Sequence, residues 1–152
     1  MIVAIEEIKL IGLALKQKTS NLNGQSHLDC TNLCHQFTDG KLAEIIPDKV
    51  SDDIFGVYFD HEGDTTKPFN YFIGCKVHSD SADCKNLQTL TIPAGNYFKI
   101  IVKGKMPDCM VDAWKNIWNE EINRAYQIDF EVYDERSKDW NEAEVDIYLS
   151  VK

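Results

Sequence analysis

The chain has 152 residues, of which 43% are hydrophobic and 27% are charged, and its formal net charge is −9. This composition is typical of one globular domain or two small fused modules, and three Trp, six Tyr and seven Phe exclude an intrinsically disordered chain. An acidic chain without a basic patch repels phosphate backbones, so we expect no direct binding to nucleic acid, whereas cationic ligands are mildly favoured.

The N-terminal ten residues include Glu6 and Glu7 and lack a basic lead-in to a long apolar run, which argues against a signal peptide. No stretch has the apolar length that a membrane-spanning helix needs, so we expect no membrane partner. Five cysteines at irregular spacing indicate reduced thiols rather than a secreted disulfide framework. A cytoplasmic protein is therefore predicted.

The first half of the chain predicts strands around one helix. Residues 5–18 are rich in Ile and Leu and indicate one long strand, or two strands joined at Gly12. Ser26 is a plausible N-cap for a helix that ends at Gly40, because Cys30, Leu33, Cys34 and Phe37 recur at helical spacing. Strands are predicted at 55–60 and 71–78, and a polar linker at 79–86.

The second half repeats this order. Strands are predicted at 87–92 and 97–103, and Pro107 suits the first position of a helix. An apolar face with a period of 3.6 residues follows it along that helix, formed by Met110, Ala113, Trp114, Ile117, Trp118 and Ala125. The last two strands are predicted at 128–133 and 145–151.

The two halves align with each other at a period of roughly 75 residues. Phe55-Gly56-Val57-Tyr58 matches Phe130-Glu131-Val132-Tyr133, and Ile73-Gly74-Cys75-Lys76-Val77 matches Ile147-Tyr148-Leu149-Ser150-Val151. We interpret this as an internal duplication within one domain, 1–152, with halves at about 1–80 and 85–152. A duplicated unit packs about a pseudo-two-fold axis, and its central seam is a natural place for a cleft.

Side chains alternate along a strand, which places Asp129, Glu131 and Tyr133 on one face. The repeat adds Tyr58 and Phe72 to that face, and the last strand adds Tyr148. Aromatic rings around a carboxylate favour a planar organic cation, since each ring contributes roughly 0.5–2 kcal/mol. The alternative is a solvated sheet face, on which tyrosines and acids are common.

Five segments resemble one known family. They are Asp129-Phe130-Glu131-Val132-Tyr133, Val145-Asp146-Ile147-Tyr148-Leu149-Ser150-Val151, Ile92-Pro93-Ala94-Gly95-Asn96-Tyr97, the pair Trp114 and Trp118, and Phe72-Ile73-Gly74. Taken in their order along the chain, they resemble the GyrI-like effector-binding family, the ligand-sensing module of AraC- and MerR-type multidrug regulators. Some members of this family are stand-alone proteins on mobile gene cassettes.

The resemblance implies an α+β fold of duplicated strand-helix-strand-strand modules, with an antiparallel sheet and a central ligand cleft. It also implies that Glu131 recognises a cationic ligand, and that Trp114 lines the cleft unless it belongs to the core; Trp118 is expected in the core. The candidate ligand-binding residues are thus Glu131, Trp114, Tyr58, Phe72, Tyr133 and Tyr148. The regulators carry a helix-turn-helix that is missing here, so DNA contact would require a protein partner.

Two other functions stay open as alternatives, namely a protein-interaction or regulatory module and a hydrolase of small electrophiles in which Glu131 acts as general base. A metal site formed by Cys30, Cys34 and His35 is disfavoured because a structural zinc site needs four ligands. We therefore expect no metal, no cofactor and no catalytic residues of a known motif. The sequence leaves the oligomeric state open.

Overall fold

The computed structural model describes residues 1–79 and 87–152, and in these each half of the chain contributes four strands and one α-helix. The first half forms β1 (Ile2–Ile5), β2 (Ile8–Ala14), α1 (Gln25–Asp39), β3 (Ile54–Phe59) and β4 (Asn70–Lys76). The second half forms β5 (Gln88–Ile92), β6 (Gly95–Gly104), α2 (Asp108–Asn119), β7 (Asp129–Tyr133) and β8 (Ala143–Ser150).

All eight strands form one antiparallel sheet in the order β1-β6-β8-β7-β3-β4-β2-β5. Exchanging the two halves, so that β1 becomes β5 and so on, gives the same order read backwards. The sheet therefore has a pseudo-two-fold axis between its central strands, β3 and β7. The predicted α+β fold with pseudo-two-fold symmetry is confirmed.

The sheet curls because short connections join strands from its opposite ends. Only Pro93 and Ala94 separate β5 from β6, and only Glu6 and Glu7 separate β1 from β2. The curl brings apolar side chains of both ends together on one face, here called the inner face. Its buried residues are Leu10, Phe55, Val57, Phe72, Ile92, Tyr97 and Phe130.

Both helices pack on the other face, here called the helix face. Helix α1 buries Leu33 and Phe37 against β2 and β4, and α2 buries Met110 and Ile117 against β8 and β6. This packing follows from apolar residues at helical spacing, which must be covered by an apolar sheet surface. The central strands β3 and β7 run between the two helices. Within the described residues, no helix is both long and apolar enough to cross a membrane.

The break in the first predicted strand and the start of the first helix were both predicted at the wrong residue. The first strand breaks at Glu6 and Glu7, and Gly12 instead lies within β2, where a Cβ would overlap the carbonyl oxygen of Ile73. Helix α1 begins after Gly24, which has a φ of 70°, while the Ser26 hydroxyl donates to the Asn21 side chain rather than capping the helix.

Helix α2 is shorter than predicted, since it ends at Asn119 and not near Ala125. Pro107 immediately precedes its first residue. The chain then runs from 120 to 128 in extended and irregular conformation before β7 begins. Most of the predicted linker, 80–86, lies outside the described residues.

Candidate ligand-binding site

Glu131 lies at the centre of the helix face, on β7 between β3 and β8. Across the sheet it is opposite Gly56 on one side and Ile147 on the other. Its exposed fraction is only 2%, so its carboxylate is removed from bulk water. A buried carboxylate needs hydrogen-bond donors or a counter-ion, because burying it unpaired is very costly.

Three aromatic side chains donate hydrogen bonds to this carboxylate. The indole N–H of Trp114 donates to Oε2 at 2.6 Å, and the Tyr58 hydroxyl donates to the same oxygen at 3.2 Å. The Tyr133 hydroxyl donates to Oε1 at 2.9 Å. Helix α2 and strands β3 and β7 thus each place one donor on Glu131, which holds the carboxylate in one orientation.

The two tyrosines occupy equivalent positions of the two halves. The register pairs Ile54 with Tyr133 and Tyr58 with Asp129, on either side of the central pair of Gly56 and Glu131. Hence the pseudo-two-fold axis passes between Gly56 and Glu131, and each half sends one tyrosine toward the axis. A single carboxylate collects a donor from both halves because it lies next to the axis and the equivalent position of the other half is a glycine.

Further aromatic rings and thiols surround this centre. The Tyr58 ring centroid is 5.0 Å from those of both Trp114 and Tyr71, at tilted or edge-on angles. The Tyr71 hydroxyl is 3.6 Å from the sulfur of Cys34. Cys34 belongs to α1, so this helix borders the cluster on the side opposite α2. Sequence reasoning missed Tyr71 as part of the cluster. Its signal was the alternation of β4, which places Tyr71 and Ile73 on one face.

Within the described residues, no lysine, arginine or histidine forms an ion pair with Glu131. Burial raises the pKa of Glu131, and the hydrogen bonds from Trp114, Tyr133 and Tyr58 oppose that increase. Burial also raises the pKa of both tyrosines well above 10, so their hydroxyls remain protonated donors. In the described part of the chain, the site is therefore an acidic centre stabilised by neutral donors.

A second buried carboxylate on the same strand is paired very differently. Asp129 is fully buried and accepts a 2.6 Å hydrogen bond from the Arg124 guanidinium. The Cζ atom of Arg124 lies 4.4 Å from the centroid of the Tyr126 ring. The backbone N–H of Ser150 donates to its other oxygen at 2.8 Å. His61 approaches it to 3.8 Å. Asp129 thus has its own cation, whereas Glu131, two residues away, has none among the residues that the structure describes.

Of the six candidate residues, four come together on the helix face, namely Glu131, Trp114, Tyr58 and Tyr133. The placement of Phe72 and Tyr148 on that face was wrong. Phe72 pairs with Val57, and Tyr148 pairs with Phe130, so both belong to the inner face. Tyr148 stacks on the Phe130 ring at 4.6 Å and 10°.

Trp118 also departs from expectation, because 41% of its surface is exposed although a core position was expected. It lies one helical turn after Trp114 and so extends the same side of α2 toward solvent. The described residues contain no group of three or more His, Cys, Asp or Glu side chains arranged to hold a metal ion. Two surface pockets, of about 340 and 450 Å³, are lined by residues other than the Glu131 cluster.

Comparison with known proteins assigns the chain to a family. A family model described as Cass2, integron-associated effector binding protein, matches residues 1–151. The chain belongs to this family. The family assignment agrees with the resemblance found in the sequence motifs, including the link to mobile gene cassettes.

Other proteins with solved structures share the fold at low sequence identity. The integron cassette protein VCH_CASS2, from the mobile metagenome of Vibrio cholerae, is 23% identical and superposes with a TM-score of 0.77 over 100% of this chain and 95% of that one. SAV2435, solved bound to tetraphenylphosphonium, is 16% identical with a TM-score of 0.78, over 100% of this chain and 93% of its own.

A curated relative is YobU of Bacillus subtilis (strain 168), which carries a provisional name as a transcriptional regulator. It is 24% identical over 102 residues, which are 65% of this chain. The match spans 64% of the length of YobU, a little under two thirds.

Proposed function

We propose that the protein binds a small, hydrophobic organic cation on Glu131, in the seam between α1 and α2. The observation that carries this proposal is the buried Glu131 carboxylate, which has three neutral hydrogen-bond donors and no cationic partner among the described side chains. A bound cation supplies the missing charge, and the low local dielectric strengthens its attraction to the carboxylate.

The surrounding rings define the kind of cation. Tyr58, Tyr71, Tyr133 and Trp114 present aromatic surface, which attracts a cation whose charge is spread over rings or shielded by them. Glu131 already accepts three hydrogen bonds, so its oxygens have little capacity left for a ligand with many N–H donors. A cation that relies on charge and aromatic contact, rather than on hydrogen bonds, fits this arrangement.

Membership in an effector-binding family supports the proposal, as does the fold shared with SAV2435, which was solved with tetraphenylphosphonium. For this chain the ligand reaches Glu131 by moving the Trp114 indole, because its N–H occupies one carboxylate oxygen at 2.6 Å. Trp114 is therefore both part of the binding surface and a reporter of occupancy.

The test is calorimetric titration with tetraphenylphosphonium, using tetraphenylborate as a probe of the same shape and opposite charge. We expect the cation to bind and the anion not to bind. Glu131→Gln should weaken cation binding by about 30-fold or more, since removing one member of a buried charge pair costs about 2 kcal/mol or more.

The matched control is Glu121→Gln, which removes the same charge from an exposed position. It should leave the affinity within about twofold, because exposed charges are screened. Equal affinity of Glu131→Gln and the unchanged protein, or equal binding of the two probes, would refute the proposal.

A further inference from the structure

One edge of the sheet is only half covered by its neighbouring strand. Strand β6 runs from Gly95 to Gly104, but β1 pairs only with its first four residues, Gly95 to Phe98. On its other side, β6 pairs with β8 from Tyr97 to Gly104. The segment 100–104 therefore has a neighbouring strand on one side only, among the described residues.

The backbone groups of this segment point outward in a regular pattern. The N–H of Lys99 donates to the Met1 carbonyl at 2.7 Å, on the β1 side. Since amides alternate in direction along a strand, the N–H and C=O groups of Ile101 and Lys103 point to the same side. In residues 1–79 and 87–152, no backbone hydrogen bond satisfies them. They form a template for one more strand.

A groove beside this edge supplies room for side chains. It has a volume of about 450 Å³ and lies between β6 and α2. Phe98, Ile100 and Val102 form its floor, and Ala113 and Ile117 belong to its wall on α2. Ile101, whose side chain is 46% exposed, presents apolar surface on the opposite side of the same edge.

The charge of the groove distinguishes between occupants. Asp112 and Glu120 line the α2 wall, and Lys103 is the one cationic residue among the lining residues. Pairing of this edge with a second copy would bring the acidic walls of two α2 helices toward each other, in a chain of net charge −9. Like charges in that position oppose self-association and favour a basic occupant.

We propose that residues 100–104 of β6 form a docking site for an extended, basic segment of another protein, which adds as a strand in line with β1. Main-chain hydrogen bonds to Ile101 and Lys103 hold the segment, and every second side chain enters the groove. On that face of the segment, apolar side chains contact the floor of the groove, and lysine or arginine side chains face Asp112 and Glu120. The site is separate from Glu131 and does not depend on the cation-binding proposal.

The experiment uses two blocked synthetic octapeptides in which every second residue is threonine. The residues between the threonines share one face of a strand, and they alternate valine with lysine in one peptide and valine with glutamate in the other. Amide hydrogen exchange and calorimetry are measured on the whole chain. We expect the lysine peptide to bind and to slow exchange of the Ile101 and Lys103 amides by about tenfold or more. The glutamate peptide should bind at least about tenfold more weakly.

Ile101→Pro removes the outward N–H without removing a bond to β8, and should abolish binding of the lysine peptide. Asp112→Asn tests the charge without touching the strand and should weaken that binding. Unchanged affinity in both variants would overturn the proposal. Protection of the Ile101 amide that rises with protein concentration, without peptide, would overturn it in favour of a second copy.

Discussion

Gly56 and Glu131 lie directly opposite each other on β3 and β7, on the pseudo-two-fold axis of the sheet. A Cβ at position 56 would lie 2.5 Å from the Tyr71 hydroxyl and 3.1 Å from Glu131 Oε1. The glutamate of one half therefore depends on the glycine of the other, because two long side chains do not fit at the axis.

Gly56→Ala should destabilise the fold by about 1–3 kcal/mol, since the added methyl group overpacks a rigid cluster. It should also weaken binding of tetraphenylphosphonium by displacing the carboxylate. Urea denaturation and calorimetry measure the two effects. Adding Tyr71→Phe removes the closest atom, so the double variant should recover part of the lost stability. A double variant no more stable than Gly56→Ala would contradict the steric explanation.

Glu131→Gln should raise stability at neutral pH while removing cation binding. Burial raises the pKa of Glu131 in the folded state above its unfolded value of about 4.5. The folded protein thus holds the proton more tightly, and this contribution to stability is present below pH 4.5 and lost as the pH rises through the folded pKa. Glutamine has no such loss.

Thermal unfolding from pH 4 to 8 checks this prediction. The gap between the variant and the unchanged protein should grow as the pH rises and should close toward acid pH. A glutamine variant that is less stable at pH 7 than at pH 4, relative to the unchanged protein, would show that a cation or donor not counted among the described residues stabilises the ionised carboxylate.

Cation binding should weaken as the pH falls, with a midpoint above 4.5, because protonation neutralises Glu131. Tyr133→Phe removes a hydrogen bond that lowers the Glu131 pKa, so the midpoint should move to higher pH. Tyr148→Phe removes a hydroxyl from the inner face and should leave the midpoint in place. Titrations with tetraphenylphosphonium at several pH values compare these two variants. Identical midpoints in the two variants would contradict the role assigned to Tyr133.

Asp129→Asn should destabilise the protein by about 3–5 kcal/mol, because it leaves the buried Arg124 guanidinium without its counter-ion. This is the opposite of the effect expected at Glu131, although both carboxylates project from the same face of β7. Asp52→Asn, at a carboxylate that is 91% exposed, is the control and should change stability by less than about 0.5 kcal/mol. Urea denaturation of the unchanged protein, Asp129→Asn and Asp52→Asn measures these free energies of unfolding.

The element order and the placement of Glu131 and Tyr133 on one face of β7 could be predicted because they depend on local patterns. Helical spacing defined α1 and α2, and strand alternation placed Glu131 and Tyr133 together. The cross-strand register could not be predicted in the same way. Glu131 pairs with Ile147, and a shift of one residue would place Tyr148 beside it instead, on the helix face.

The same limit explains the residues that sequence reasoning missed. Tyr71 joins the cluster because β4 pairs with β3 so that Tyr71 lies opposite Tyr58. Arg124 meets Asp129 because the chain after α2 turns back to pair Arg124 with Val151. Neither contact follows from spacing along the chain. The apolar set Val145, Ile147 and Leu149 was a usable signal, because α2 needs an apolar surface beneath it.

Helix α2 contributes Trp114 to the Glu131 cluster and Asp112, Ala113 and Ile117 to the groove beside β6. The proposed cation site and the proposed docking groove therefore share one helix. By thermodynamic linkage, whatever free energy a bound cation contributes to or removes from strand docking is matched by an equal effect of the docked strand on cation affinity. Helix α2 is thus the element through which the two proposed sites would be coupled, and comparing cation affinity with and without the docked strand measures that coupling.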